Sequence, residues 1–396
     1  MGFRRFTKKA FIGLKFIITN TLKRDLSKNP ILSVRNLKVS FKTKKGIAYA
    51  VDDVSFDVYR GEVFGLAGES GSGKSTIALS ILRLIEEPGK IESGQILFDG
   101  KDVLKFNDQE LQAYRWRDVS MIFQGAMNSF NPVMRVGEQL VDAILAHSNM
   151  SEEEARKRAE ELLKVVGIDK VFVNRYPFEL SGGMKQRAMI AMALVLNPKL
   201  LIADEPTTSI DVIRQIEVLR LLRNLQKELG LSMIYITHDL SLMAAIADRL
   251  GIMYAGKIVE QGTVRQIYET PAHPYTKLLL ASIPSLKGST KRLQGIPGQP
   301  PNPMSYPPGC RFHVRCPFAM NICAKVVPDL IPLGEKWPEE LKNEAANEQQ
   351  TGHYVACHLW TKTKAAPDEW GYKPLKTLEA KCDVHAINHR GKKRFS

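Results

Sequence analysis

The residues from Gly68 to Ser75 have the types and spacing that could bind a phosphate chain. GESGSGKS fits G-x-x-x-x-G-K-[ST] between an apolar strand and a helical stretch. Glycines let backbone N–H groups approach a phosphate, and the following helix N-terminus adds a favourable dipole. Lys74 is predicted to reach the β- and γ-phosphates, Ser75 to bind Mg²⁺ and Thr76 to donate to a phosphate oxygen. The predicted nucleotide-binding residues of this loop are Gly68, Ser70, Gly71, Ser72, Gly73, Lys74, Ser75 and Thr76.

Two adjacent acidic residues further along the chain could complete a hydrolytic site. The apolar run LLIA directly precedes Asp204 and Glu205. Such a run predicts a buried strand, and ligands of open parallel sheets bind at the carboxyl ends of the strands. We predict that Asp204 holds Mg²⁺ through water and that Glu205 polarises the water that attacks the γ-phosphate.

The elements that must position these residues alternate between strands and helices. ILSVRNLKVSF and IAYAVDDVSFDV predict two strands with a turn at 44–46, and SEEEARKRAEELLKVV predicts a helix over 151–166 with Ser151 as its N-cap. LLIAD and SMIYIT predict buried strands separated by helical segments. This order is typical of an α/β fold with a mostly parallel sheet.

A further group of motifs carries a family resemblance. LSGGMKQR at 180–187 resembles the LSGGQ-type signature of ABC ATPases. In the family's order stand Gln124 of MIFQ at the Q-loop, Ser209-Ile-Asp211 at the D-loop and His238 of ITHD at the switch histidine. The resemblance covers residues 31–284. It implies a P-loop (RecA-like) ATPase core with an antiparallel β subdomain and a helical subdomain at about 127–180.

The resemblance also implies roles for individual residues. Gln124 would touch Mg²⁺ or the attacking water and relay the state of the site, and His238 would contact the γ-phosphate. Phe41 matches the adenine-stacking position best, with Tyr49 second. The D-loop has Ser-Ile-Asp where Ala-Leu-Asp is usual, and Asp211 is kept as a contact across a dimer. The residues that match the signature contacts to the partner subunit's ATP are Ser181, Gly182 and Gly183. Each motif occurs once, so a complete site implies two subunits.

Four of the five cysteines fall close together after a Pro/Gly-rich loop: Cys310, Cys316, Cys323 and Cys357. Four thiols in one module suit Zn²⁺ or an iron–sulfur cluster, although the short Cys-x₂₋₄-Cys pairs usual in zinc sites do not occur. PPGCRFHVRCPFAMNIC and TPAHPYTKLLLASIP resemble the C-terminal region of dipeptide/oligopeptide importer ATPases. That resemblance implies that the four cysteines hold a [4Fe–4S] cluster. Zinc is the second choice, with His313, His353 or His358 as further ligands; Cys382 is predicted to be a free thiol.

The same resemblance implies a function and partners. The chain would be the ATP-hydrolysing subunit of an ABC importer for oligopeptides or dipeptides, peripheral on the cytoplasmic face of the cell membrane. SGGMKQR and LLIADEPTT resemble the D-type subunit. The partners would be an F-type ATPase subunit, two membrane permease subunits and an extracytoplasmic peptide-binding protein. An importer ATPase for another solute such as nickel remains an alternative.

The charge distribution bears on another class of protein, a soluble ABC ATPase acting on nucleic acid or ribosomes. The net charge is +14, but residues 1–28 carry eight basic residues and one acidic residue, and residues 361–396 carry nine basic and four acidic. A basic nucleic-acid footprint on the core is therefore not expected, and the chain has one cassette without a long insertion. No nucleic-acid partner is predicted.

The predicted domains are a basic N-terminal extension (1–30), an ABC ATPase domain (31–284), a C-terminal domain with the four cysteines (285–360) and a basic tail (361–396). Within residues 1–28, apolar residues recur on one helical face. A basic amphipathic helix on anionic lipid and a frayed, solvated tail both fit this pattern. No apolar run is long enough to predict a spanning helix.

Overall fold

The computed structural model describes residues 29–125, 129–207, 211–283, 295–333 and 352–362. These residues cluster into two compact units. The described residues of the first unit lie within 29–32, 57–62 and 97–236, and those of the second within 33–56, 63–96 and 237–362.

From β7 to β9, strands and helices alternate as the sequence predicts. The strands are β1 Pro30–Thr43, β2 Gly46–Tyr59, β3 Val63–Ala67, β4 Gly89–Phe98, β5 Lys101–Asp102, β6 Val119–Ile122, β7 Leu200–Asp204, β8 Ser232–Thr237, β9 Arg249–Tyr254, β10 Lys257–Thr263, β11 Ile331–Pro332 and β12 Tyr354–Val355. The helices are α1 Lys74–Ile81, α2 Asp108–Tyr114, α3 Val136–His147, α4 Glu152–Val165, α5 Gly182–Ala193, α6 Val212–Leu229, α7 Leu240–Ile246, α8 Val264–Glu269, α9 Pro274–Ala281 and α10 His358–Lys362.

Three parallel strands form the centre of the first unit. β7 pairs with β6 on one side and with β8 on the other, both in parallel. All five residues of β7 are buried, as expected for a strand covered on both faces. The register places Ile122 beside Ala203 and Asp204 beside Ile236. The chain segments that follow β6 and β7 therefore leave the sheet at the same edge, and the predicted LLIAD and SMIYIT strands are confirmed.

Helix α4 of the first unit confirms the helix predicted at 151–166. The Ser151 hydroxyl accepts a hydrogen bond from the Glu154 amide, while the Glu154 carboxylate accepts one from the Ser151 amide at 2.8 Å. Three glutamates in the first turn complement the helix dipole. Buried alanine and leucine side chains at helical spacing form the inner face, which fixes the helix in place.

The second unit contains the strand that precedes the phosphate loop. β3 pairs in parallel with β9, and Ala67 lies beside Ile252. β10 joins β9 and β12 in antiparallel fashion, and β11 joins β12. β2, β1 and β4 are neighbours in a separate sheet. The two strands predicted before the phosphate loop and the turn between them are confirmed, since β1 ends at Thr43 and β2 begins at Gly46.

A buried acid anchors the described C-terminal residues of the second unit. Glu260 on β10 accepts hydrogen bonds from the Ala272 amide at 2.7 Å and the His273 amide at 2.9 Å, and His353 Nε2 lies 2.7 Å from its carboxylate. Burial alone would raise the pKa of Glu260, but the hydrogen bond and charge of His353, with the Ala272 amide, hold it below its ordinary value. Trp360 Nε1 donates to the Ala272 carbonyl at 3.0 Å. Residues 352–362 are thereby held against β10 and the segment before α9.

Some sequence predictions lie outside the described residues. These are the amphipathic helix at 1–28, the basic tail beyond residue 362, Cys382, and Ser209 and Ile210 of the D-loop. Among the helices that are described, none has the length and apolar character needed to cross a lipid bilayer.

The buried pair of Glu260 and His353 is expected to contribute to the stability of the chain. Glu260→Gln should lower the free energy of unfolding by about 3 kcal/mol, because it leaves amide donors and His353 without their buried anion. The measurement is urea unfolding of the full chain. The matched control is Glu269→Gln, whose carboxylate pairs with Arg265 at 2.9 Å on an exposed surface; the control should change the unfolding free energy by less than about 1 kcal/mol. Equal effects of the two variants would contradict the anchoring role of Glu260.

Candidate functional site

The phosphate loop of the second unit has a backbone shape that leaves no room for a side chain at Gly68 or Gly73. The loop joins β3 to α1, and Gly73 caps α1 with a φ of +104°. A Cβ at Gly73 would lie 2.2 Å from the Ala50 carbonyl oxygen. Lys74 is buried, and its Nζ donates to the carbonyls of Gly68 at 2.9 Å and Glu69 at 3.0 Å. The lysine is therefore already directed along the loop whose backbone would bind phosphate.

The two candidate adenine platforms differ in their surroundings. Phe41 on β1 is half-buried, and its ring edge lies close to Gly89. The ring of Tyr49 on β2 has Lys38 Nζ at 4.6 Å from its centroid. The Tyr49 backbone is also tied to the C-terminal segment, because its carbonyl accepts from the Tyr306 hydroxyl at 2.8 Å. These contacts occupy Tyr49 more than Phe41, and adenine stacking on either ring stays a prediction.

His238, the predicted switch histidine, directly follows β8 and is exposed. The next residue, Asp239, is the N-cap of α7, and its carboxylate accepts from the Ser241 amide at 2.8 Å. The cap fixes the backbone beside His238, so the imidazole stands on an ordered turn.

In the first unit, the structure brings together two of the predicted catalytic residues. Gln124 Nε2 donates to Glu205 Oε2 at 3.0 Å. Glu205 has a φ of +45°, rare for a residue with a side chain, and its amide donates to the Ile236 carbonyl at 2.9 Å. A left-handed backbone at a non-glycine residue costs about 1–3 kcal/mol and is often found at functional sites. Asp204, one residue earlier, is buried at the end of β7.

The signature residues of the first unit form an open helix N-terminus. Ser181 is the N-cap of α5, and its hydroxyl accepts from the Met184 amide at 3.3 Å. Ser181 and Gly182 are exposed, and Gly183 is partly exposed. The first amides of this 12-residue helix therefore face outward, an arrangement suited to an anion. Asp211, the predicted dimer contact, caps α6 by accepting from the Arg214 amide at 3.0 Å.

The four cysteines of the second unit line one small cavity. Cys310, Cys316, Cys323 and Cys357 are free thiols and all border this cavity. The chain closes on itself here, because the Cys310 amide donates to the Cys323 carbonyl at 2.7 Å. Burial, with a smaller contribution from the neighbouring thiols, raises the pKa of Cys316 to about 11 and that of Cys357 to about 12. These thiols are thus neutral unless a cation lies among them.

The histidines considered as zinc ligands have other contacts. His353 pairs with Glu260 as described, and His313 Nδ1 lies 2.7 Å from the Cys310 carbonyl. His358 Nε2 lies 2.8 Å from the Val326 carbonyl. Within the described ranges, no group of three or more His, Cys, Asp and Glu side chains is arranged to hold a metal ion. The iron–sulfur and zinc predictions are therefore not supported by a formed metal site.

Two arginines between the first cysteines, Arg311 and Arg315, belong to no recognised motif and were not predicted to be functional. Arg311 forms an ion pair with Asp52 and donates to the Ala255 carbonyl. Arg315 forms a two-fold hydrogen-bonded ion pair with Glu69 of the phosphate loop. Glu69 and Arg315 are 246 positions apart. No local pattern marks such a pair.

Two family models match different parts of this chain. Residues 51–208 match the family model described as ABC transporter, and residues 259–323 match the model described as oligopeptide/dipeptide transporter, C-terminal region. With the phosphate loop, the Asp204–Glu205 strand end and the capped signature helix, these matches define an ABC ATPase.

Relatives with high sequence identity show to which family of ABC ATPases the chain belongs. It is 47% identical to the oligopeptide transport ATP-binding protein OppD of Bacillus subtilis, covering 77% of this chain and 86% of the relative. It is 47% identical to the dipeptide transport ATP-binding protein DppD of the same organism (75% and 90% covered) and 44% identical to OppD of Escherichia coli (75% and 89%). The chain belongs to the family of oligopeptide and dipeptide transport ATP-binding proteins.

Solved structures confirm the predicted ABC ATPase fold. A dimeric structure of the ATP-binding cassette MJ0796 in a post-hydrolysis state with ADP and phosphate matches with a TM-score of 0.53 and 31% identity, covering 59% of this chain and 99% of that one. The structure of cbiO1 from Clostridium perfringens, part of the ABC transporter complex cbiONQ, matches with a TM-score of 0.52 and 28% identity, covering 61% and 92%.

Two glycines of the phosphate loop offer a matched test of its backbone. Gly73→Ala should abolish detectable ATP binding, because its Cβ would meet the Ala50 carbonyl. Gly71 also has a positive φ (+76°), but no atom lies within 4 Å of a Cβ placed there. Gly71→Ala should therefore weaken binding only about tenfold, from backbone strain of about 1–2 kcal/mol. Binding is measured by fluorescence of a labelled ATP analogue, and equal losses would contradict this account of the loop.

Proposed function

We propose that this chain is the ATP-hydrolysing subunit of an ABC importer that drives uptake of oligopeptides or dipeptides across the cytoplasmic membrane. The observation that carries the proposal is the joint presence of the ATPase motifs and the oligopeptide/dipeptide C-terminal region in one chain. The names of the similar proteins favour peptides over nickel or nucleic acid. The D-type resemblance points to an F-type ATPase as the partner.

Hydrolysis would use side chains of the phosphate loop and side chains that follow the carboxyl ends of strands. Glu205 would accept a proton from the attacking water, and Gln124 is in contact with that carboxylate. Lys74, aligned along the phosphate loop, would stabilise charge on the β- and γ-phosphates. His238 would contact the γ-phosphate from its ordered turn. The remaining loop residues would bind phosphate oxygens mainly through backbone N–H groups.

Mg²⁺ would be held by oxygen atoms of Ser75, Asp204 and Gln124. The donors fit, because a hydroxyl, a carboxylate and an amide oxygen are hard ligands of the kind that Mg²⁺ prefers. Gln124 donates through Nε2 to Glu205, which leaves its Oε1 for a metal or a water. When bound, the ion neutralises charge on the phosphates.

Two subunits would close around ATP. The exposed N-terminus of α5 at Ser181–Gly183 would meet the γ-phosphate on the partner, with Asp211 as a contact between subunits. The proposal is supported by the outward-facing helix amides and by the dimeric state of the MJ0796 cassette. The Gln124 region would pass closure on to two membrane permease subunits, which receive peptide from an extracytoplasmic binding protein. The chain would then lie peripherally on the cytoplasmic face of the membrane, with residues 1–28 as a further contact to lipid.

The four-thiol cavity would hold a metal centre, with a [4Fe–4S] cluster as the first choice. The donors fit, because four thiols from two segments border one space, and the raised pKa values of Cys316 and Cys357 keep these two thiols protonated while no cation is present. The volume of about 10 Å³ corresponds to roughly one water molecule, so a cluster needs the thiols to turn outward. A single Zn²⁺ needs less space, but the cysteine spacing is not that of usual zinc sites.

The assigned role of Glu205 can be tested with one isosteric substitution. Glu205→Gln should reduce ATP turnover at least 100-fold, because the amide cannot accept the proton, while the Kd for ATP stays within about threefold. Turnover is measured as phosphate release by the assembled importer. Normal hydrolysis in this variant would remove Glu205 from the role, and a lost ATP affinity would show that it serves binding instead.

The metal proposal is tested by the composition of anaerobically purified protein. We expect about four iron atoms and labile sulfide per chain, with a brown chromophore. Cys316→Ser should lose the chromophore, whereas Cys382→Ser, which changes the cysteine assigned no ligand role, should keep it. Stoichiometric zinc in the purified protein would contradict the [4Fe–4S] cluster and support zinc as the bound metal. Protein with neither metal, in which all five thiols of the chain react with a thiol reagent after unfolding, would refute the metal centre.

A further inference from the structure

Residues 310–323, which carry three of the four cysteines and are called the cysteine segment below, contribute one side chain that contacts the phosphate loop. Arg315 directly precedes Cys316, and only 7% of its surface is exposed. Its Nη1 donates to Glu69 Oε2 at 2.7 Å, and its Nη2 donates to Glu69 Oε1 at 3.0 Å. Glu69 is the second residue of the phosphate loop, between Gly68 and Ser70. Two parallel bonds between a guanidinium and a carboxylate fix both distance and orientation.

The guanidinium is itself held in place. Its Nε donates to the Pro297 carbonyl at 2.7 Å, and its Nη1 also donates to the Tyr254 hydroxyl at 3.2 Å. Tyr254 packs against Tyr275 and Phe312, with ring centroids 4.7 Å and 5.1 Å away. The bound carboxylate raises the pKa of Arg315 although burial opposes this, so the side chain stays charged. Arg315 is thus a fixed cation and not a mobile surface residue.

Glu69 is also held through its backbone. Its amide donates to the Tyr275 hydroxyl at 2.9 Å, and its carbonyl accepts from Lys74 Nζ at 3.0 Å. The Ser72 amide donates to the same carbonyl at 3.2 Å. The first half of the loop is therefore fixed from the side of α9 and the cysteine segment.

A carboxylate in this loop needs a counter-charge. The loop binds an anionic phosphate chain, and an unneutralised glutamate within it would repel that chain. The side chain of Glu69 is 22% exposed, so water screens its charge only in part. Arg315 places a compensating cation on both carboxylate oxygens.

We propose that Arg315 is a positioning residue for ATP binding: by anchoring and neutralising Glu69, the cysteine segment completes the phosphate loop. Arg315 acts through Glu69 and does not touch the nucleotide. The proposal rests on the ATP-binding loop and is independent of whether the four thiols hold a metal.

A double-mutant cycle tests this link on the full-length chain. Arg315→Gln should raise the Kd for a fluorescent ATP analogue about tenfold, which corresponds to about 1.4 kcal/mol. The kcat at saturating ATP should change less than about twofold, because the residues that activate water are untouched. Arg315→Lys keeps the charge but loses the paired geometry, so its Kd should lie between those of the wild type and Arg315→Gln.

The Glu69→Gln background separates charge compensation from general packing. In that background the loop carries no carboxylate, so adding Arg315→Gln should change the Kd less than about threefold. An equal, tenfold loss in both backgrounds would overturn the proposal and assign Arg315 a packing role. If Arg315→Gln does not fold, the same comparison is made with Arg315→Lys, and an equal loss with and without Glu69 would again overturn it.

Arg311 provides the matched control in the same segment. It is paired with Asp52 and lies 3.8 Å from the ring centroid of Tyr306, but its carboxylate partner is outside the phosphate loop. Arg311→Gln should lower the thermal stability of the chain, yet its effect on the Kd for ATP should be the same in the presence and absence of Glu69. A dependence on Glu69 as large as that of Arg315→Gln would show that loosening the segment is sufficient, and would overturn the specific role of Arg315.

Discussion

Phosphate binding by backbone N–H groups requires a loop whose shape does not depend on the ligand. Glycines permit the shape but do not maintain it, because they add no side-chain contacts of their own. In this chain the loop is maintained from outside. The Ala50 carbonyl limits position 73 to glycine, Tyr275 holds the amide of Glu69, and Arg315 holds its carboxylate. The segment that carries the cysteines is therefore part of the scaffold of the phosphate loop.

In the first unit, the candidate functional residues lie at the ends of strands and helices. β6 and β7 are parallel neighbours in register, so Gln124 and Glu205 leave the sheet at one edge and come within 3.0 Å of each other. Ser181 caps α5 with its own hydroxyl, which leaves the following amides directed outward. In both places the chemistry stands at an element end, where backbone dipoles and short turns set the direction of a few side chains.

The sequence predicted what depends on local pattern. The LLIAD strand, the N-cap at Ser151 and the strand–loop–helix order around Lys74 all follow from periodicity, capping residues and glycine spacing, and the structure confirms them. Pairs that join distant parts of the chain could not be predicted. Arg315 and Glu69 are each ordinary charged residues in their local context, and the same holds for Glu260 and His353. Only the fold brings the two members of each pair together, and burial then strengthens the electrostatic interaction between them.

The net charge of the chain, which is read from composition, differs from the charge that would bind nucleotide, which depends on the fold. Most of the +14 lies in residues 1–28 and 361–396. Three cations in the described part of the second unit form ion pairs with acids: Arg311 and Lys257 with Asp52, and Arg315 with Glu69. A charge more than about 10 Å from a ligand is largely screened at 0.1 M salt, whereas Lys74 and the loop amides would act at contact distance. Affinity for ATP therefore depends on the local arrangement of the phosphate loop and not on the net charge of the chain.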